Sequence, residues 1–378
     1  MNTALAVEPP SRHFKMSDEK DFVAELTALD RRTLIQPLGS ARDILLDGQA
    51  RTLAAGHRLT SLALYQVCQG ACPGLYRFLQ ELSGTNRMPE QAKDDYSLEE
   101  ALDTYNRVVR RRFATRLGGR QLVRDSRDGL VVGVVGSRYR RLANLALYEK
   151  TRELLRKLER PPDFYEASLR GWWVMFRYYV PKSYCLIEGP LGERDRYLAG
   201  YHFSNNEVGE ASARAAAFLL RDYGRTSALC LSAAAGRVRH RGHTFERRLQ
   251  SALEAALERL RPPDFYAGRL LALRATEALA AGKEAAARER AREELRHRLR
   301  RRLTDGAARA VIEDVVARGS YEDRPSPPGL AEGPLAPARS AYDVFNSLGR
   351  VARGLAISAR ERLEQVAYSL LAGQFSVL

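Results

Sequence analysis

Glu166–Pro181 reads EASLRGWWVMFRYYVP, and how it is read decides the fold. β-branched and aromatic residues fill it, Gly171 interrupts it and Pro181 closes it, the pattern of strand text bounded by breakers. From Trp172 to Val180 the side chains alternate: Trp172, Val174, Phe176 and Tyr178 share one side, and Trp173, Met175, Arg177 and Tyr179 share the other. The first set fills a core. The second surrounds an arginine with aromatics: on an open face it would stack bases and meet phosphate, and under a helix it is simply more core.

Downstream, YCLIEGP (residues 184–190), a polar turn GERD and RYLAGYHFS (196–204) continue the strand signal, so three strands in meander order are expected. EVGEASARAAAFLLRDY (207–223) then reads as a helix capped by Asn205 or Asn206, with Glu207 and Glu210 in its first turn and Gly224 as its stop. SALCLSA (227–233) is a short strand leading into GRVRHRGH, and Thr244 opens a long helix. Strands in succession with helices laid beside them make the fold class α+β around a central, mostly antiparallel sheet.

Upstream, residues 1–20 read as a flexible tail, and 21–96 as a helical N-terminal subdomain punctuated by Gly70, Pro73, Gly84 and Pro89. Residues 97–302 form a basic α+β core. It opens with a helix from Ser97 whose last turn carries Arg110, Arg111 and Arg112, where the helix dipole favours cations. RQLVR (120–124) and LVVGVVG (130–136) around Arg127-Asp128-Gly129 read as a hairpin, and Ser137 as the cap of a helix over 138–159. RPPDFY occurs twice, at 160–165 before strand text and at 261–266 before helix text, and reads as a reused helix stop. A long Ala, Arg and Glu helix (267–302), a helical connection (303–319), a Pro/Gly-rich linker (320–340) and a C-terminal helical element (341–378) complete the chain.

The formal charge is +15, and it is uneven: residues 101–302 hold 42 Lys and Arg against 23 Asp and Glu, while the flanks are slightly acidic. Such a field draws polyanions and governs association, not fold. Arginine outnumbers lysine 54 to 7, which suits bidentate phosphate contacts, although GC-rich coding or a hot habitat gives the same bias. The four cysteines have no paired metal spacing, and there is no secretory leader pattern or apolar run of about 18 residues. A reduced, cytoplasmic protein without a membrane partner is expected.

Arg237, Arg239, His240, Arg241 and His243 are the densest basic cluster next to the sheet, with His202 on the preceding strand and Arg138, Arg140 and Arg141 ahead of the 138–159 helix. Together with Trp173, Arg177 and Tyr179 they are the candidate nucleic-acid contacts. His240, His243 and Glu246 are spaced like metal ligands, but the arginines between them repel a divalent cation, so no metal is expected. Nucleoside-triphosphate loops, GxSxG, HExxH and a complete GxGxxG are absent; neither a cofactor nor a catalytic residue is assigned.

Four segments, VVGSRYRRLANLALYEKT (134–151), HFSNNEVGEASARAAAFLLR (202–221), GRVRHRGHTFERRL (236–249) and AYDVFNSLGRVA (341–352), resemble in order and text a phage- and plasmid-borne family, domain of unknown function 932. The chain has Asn206 where that family has a serine, and Arg-Thr-Ser-Ala after the helix where it often carries Cys-Thr-Asn-Gly-like text. The resemblance implies an origin in mobile elements and a role in handling their DNA. Taken with the basic core, the aromatic strand and the arginine loop, the expected function is binding or annealing of single-stranded DNA in recombination or replication, by a homo-oligomer. The alternative is a non-enzymatic structural or oligomeric interaction protein of a phage.

Overall fold

The computed structural model describes residues 11–46, 58–82, 95–188, 194–222, 228–231, 236–258, 264–275 and 357–371, with isolated positions at 293, 297, 342, 344, 345, 348 and 352. The expected α+β architecture is present. Its centre is a seven-stranded sheet in the order β1 (Ser11–Lys15), β5 (Asp163–Arg170), β6 (Trp173–Glu188), β7 (Arg194–Asn206), β8 (Ala213–Asp222), β10 (Gly236–Val238), with β9 (Ala228–Leu231) also on β8. Every pairing in it is antiparallel. The two strands expected from WWVMFRYYVP and YCLIEGP are one bulged strand, Trp173–Glu188: the register with β7 shifts between Tyr179 and Tyr184, where Lys182 takes a φ of 60°.

Helices α1 (Glu19–Arg32), α5 (Asn144–Arg156) and α6 (Phe245–Glu258) bury Phe22, Leu26, Tyr148, Leu249 and Leu253 against Val174, Phe176, Tyr178 and Phe203 of the sheet. A second core joins Cys185, Ile187, Tyr197 and Leu219 to α7 (Asp264–Ala275) and to C-terminal residues including Phe345, Leu348, Leu363 and Val366. The last two belong to the C-terminal helix Ile357–Leu371, here α8. A smaller sheet, β2 (Thr33–Pro37), β3 (Gln121–Asp125) and β4 (Val131–Val135), carries α2 (Ser61–Ala71), α3 (Leu75–Leu82) and α4 (Asp95–Arg112) over its own core, built around Leu64, Val67, Tyr105 and Val134.

Several expectations need correction. In place of the helix expected over 207–223 stand a turn and then strand β8, Ala213–Asp222. Ala213, Ala215, Ala216, Phe218, Leu219 and Leu220 are all buried, and a run covered on both sides carries no alternation to distinguish strand from helix. Residues 11–15 of the expected tail pair with β5 as an edge strand. The helix expected over 138–159 starts at Asn144, because residues 138–143 are held in a loop by the contacts described below. Residue 96 is not a seam: β2, from before it, pairs with β3, from after it. Most of 276–302, the connection 303–319 and the linker 320–340 lie outside the described residues. Among the described residues no helix is long and apolar enough to cross a membrane.

Candidate nucleic-acid interface

The turn after β7 organises the site. Asn206 caps no helix; its Oδ1 accepts from the backbone N–H of Val208 at 3.0 Å and of Glu210 at 3.1 Å, an Asx turn that aims the chain into β8. Asn205 Nδ2 donates to Leu142 O and to Asn144 Oδ1, both at 2.8 Å. The Glu207 carboxylate accepts from Asn144 N at 2.6 Å and Arg141 Nε at 2.8 Å. Burial raises the Glu207 pKa, and Arg141 pulls it back down. Arg141 also reaches Asp30 at 2.6 Å, so this arginine, expected at the interface, is an internal tie.

Gln66 of α2 clamps the turn to the small sheet: its Nε2 donates to Val208 O at 2.7 Å, and its Oε1 accepts from Val134 N at 2.6 Å. Gly133 permits this approach, since a Cβ there would sit 2.8 Å from Val208 Cβ. Tyr139 provides the third tie by donating its hydroxyl to Glu207 O at 2.7 Å.

Two arginine-bearing loops then lock together. Tyr139 bridges Arg241, and Arg140 N donates to His240 O at 2.9 Å. The His240 ring stacks between Tyr139 and Phe245, with centroids 5.3 Å away on either side. Its Nδ1 lies 3.2 Å from Arg140 O, a carbonyl that can only accept, so Nδ1 carries the hydrogen and Nε2 the lone pair. Nε2 is buried and has no hydrogen-bond partner among the described residues. Burial lowers the His240 pKa to about 4, so the ring is neutral at pH 7. Around this stack Arg138, Arg140, Arg237, Arg239, Arg241 and His243 are exposed, and none of these arginines joins an ion pair among the described residues.

Arg138, Arg239, His240 and Arg241 line a cavity of about 660 Å³ that Gln66, Gln69 and Arg120 close from the other side. Arg120 lies over α2, its Cζ 2.7 Å from where a Cβ of Gly70 would stand. A neighbouring cavity of about 560 Å³ shares Tyr65 and Glu210 with the first and is lined by Tyr76, Trp172 and Trp173. Tyr65 and Tyr76 meet edge to face at 5.2 Å. Arg120, Tyr65 and Tyr76 were not among the expected contacts. The signal for Arg120 was the Gly118-Gly119 turn ahead of it, while nothing in the sequence marks the two tyrosines off from core residues.

The remaining candidates lie elsewhere. The aromatic side of β6 is not an open platform: Arg177 is fully buried and Tyr179 is half-buried, while Trp173 lines the second cavity. Arg177 pairs with Glu166 at 2.6 Å and with Glu364 of α8, and its Nε donates to His202 Nδ1 at 3.1 Å. His202 in turn donates from Nε2 to Glu361 Oε1 at 2.8 Å, and Arg214 meets the other oxygen of Glu361 at 2.9 Å. With Arg360 held by Glu166 and Glu364, three guanidiniums face three carboxylates around a neutral histidine whose pKa burial depresses. These side chains fasten α8 to the sheet.

The chain matches no family model, no curated protein and no solved structure, so the resemblance to domain of unknown function 932 stands on its four quoted segments alone.

Proposed function

We propose that the protein binds single-stranded nucleic acid along the cleft between the small sheet with α2 and the end of the large sheet, as a binding or annealing protein of phage or plasmid DNA in the bacterial cytoplasm. The observation that carries this reading is the locking of two arginine-rich loops, 101 residues apart at Tyr139 and His240, into one cationic surface beside an aromatic cavity. Exposed guanidiniums without carboxylate partners neutralise phosphates, and Tyr65, Tyr76 and Trp173 offer π-faces to bases of any sequence. The four segments resembling the mobile-element family support the setting.

Salt titration of oligonucleotide affinity tests it. Log affinity should fall linearly with log salt. Replacing Arg237, Arg239 and Arg241 together with Ala should flatten the slope by about two units, at roughly 0.7 per single-strand phosphate contact. Absence of binding at low salt, or binding indifferent to salt, would refute the reading.

A further inference from the structure

We infer that the 660 Å³ cavity is a site for one nucleotide bearing a terminal phosphate, distinct in kind from the strand-tracking surface around it. This rests on the strand-binding reading for its natural source, a strand end; a free nucleotide presents the same chemistry. Three observations converge on it.

The first is size: the volume falls within the range of about 300–1,000 Å³ typical of small-ligand pockets, and a lone phosphate would leave most of it empty. The second is charge. Arg120, Arg138, Arg239 and Arg241 line the cavity with Glu210 as the opposing carboxylate, a surplus gathered around one compact space. A phosphodiester within a strand brings one negative charge, whereas a terminal phosphomonoester brings about 1.5 to 2. Arg120 is half-buried, and burial alone lowers its pKa, the state of a cation short of a counter-ion.

The third is Tyr65. It is exposed and lines the cavity. A ring face stacks on a base and offers nothing to a bare phosphate. The cavity therefore suits an anion joined to a base, which describes a nucleotide.

Calorimetry with a nucleoside monophosphate, inorganic phosphate, and oligonucleotides that are 5′-phosphorylated, 5′-hydroxyl or circular tests this on the full chain. The monophosphate should saturate one site per chain, with inorganic phosphate at least about tenfold weaker. If phosphorylated ends bind about tenfold tighter than hydroxyl ends or circles, the source is a strand end; if ends are indifferent while the monophosphate binds, it is the free nucleotide. Arg120→Ala should weaken monophosphate and phosphate together by about tenfold. Tyr65→Ala removes the ring face and should weaken the monophosphate alone, narrowing its advantage over phosphate. Circular strands binding with a steep salt slope, with neither monophosphate binding nor an end preference, would overturn the nucleotide site and leave strand binding intact. Equal affinity for monophosphate and phosphate would overturn it as an anion site only. Monophosphate binding without any oligonucleotide binding would instead refute the strand-binding reading.

Discussion

His240 shows how one side chain can be fixed by packing and still bias the whole molecule. Its pKa is lowered from 6.5 to about 4 by burial, so as pH falls the unfolded chain takes up its proton before the folded one does. Stability present above pH 6.5 is therefore lost progressively down to about pH 4, by about 2 kcal/mol at pH 5 for this residue. His202 shifts in the same direction, also through burial, and adds to the slope. Urea unfolding at pH 7 and pH 5 should thus show a large acid loss in the wild-type chain. In His240→Phe the loss should be smaller by about 2 kcal/mol, with the His202 share retained; an equal loss in both would contradict the shift. At this scale the exposed arginines at 138, 140, 237, 239 and 241, with His243, were legible, because a basic cluster between breakers needs no partner to be recognised. Arg141, Arg177 and His202 were not, because the carboxylates that hold them stand 66, 187 and 159 residues away.

At the scale of elements, β8 shows what periodicity misses. Its alanines carry high helix propensity, yet Ala215, Ala216 and Ala217 pair with Phe203, His202 and Tyr201, and tertiary burial overrides a preference of a few tenths of a kcal/mol per residue. The hexapeptide RPPDFY is a sharper case: Asp163 opens a strand, and Asp264 opens a helix. Phe164 and Tyr266 are buried while Phe265 is exposed, so the same text serves opposite geometries. The attachment of α8 is testable at this scale. Glu364→Ala leaves Arg177 buried beside one fewer carboxylate and should cost about 3–5 kcal/mol in urea unfolding, as expected for half of a buried pair. Arg177→Met should also alter stability, and in chains that fold, neither change should alter the salt slope of oligonucleotide binding. A flatter slope in Arg177→Met would return that residue to the interface. At the clamp, Gly133→Ala sets a methyl against Val208 and Gln66 and should destabilise by about 1–3 kcal/mol through overpacking.

For the whole molecule, the proposed path of a polyanion starts from charge. Part of the basic surplus between residues 101 and 302 is exposed at the loops joined by Tyr139 and Arg241. Changing Arg237, Arg239 and Arg241 to Lys preserves charge but not the guanidinium fork. The salt slope should stay at the wild-type value while affinity drops by a few fold, and a slope that flattens as in the Ala variant would mean that shape outweighs charge. Fold class was readable because alternation and breakers mark each strand by itself. The cleft was not, because α2, the Gly118-Gly119 turn, the Asx turn after β7 and the loop after β10 meet only once both sheets have formed.

The fastening of α8 has a consequence for the order in which the chain is made. Arg177 and His202 are synthesised long before Glu361 and Glu364, so while the ribosome works through the intervening residues β6 and β7 have no lid over that pair. A chain interrupted before Glu361 would leave His202 without that carboxylate and Arg177 with Glu166 but not Glu364. Docking of the last helix, after the chain leaves the ribosome, is the event that seals this part of the sheet.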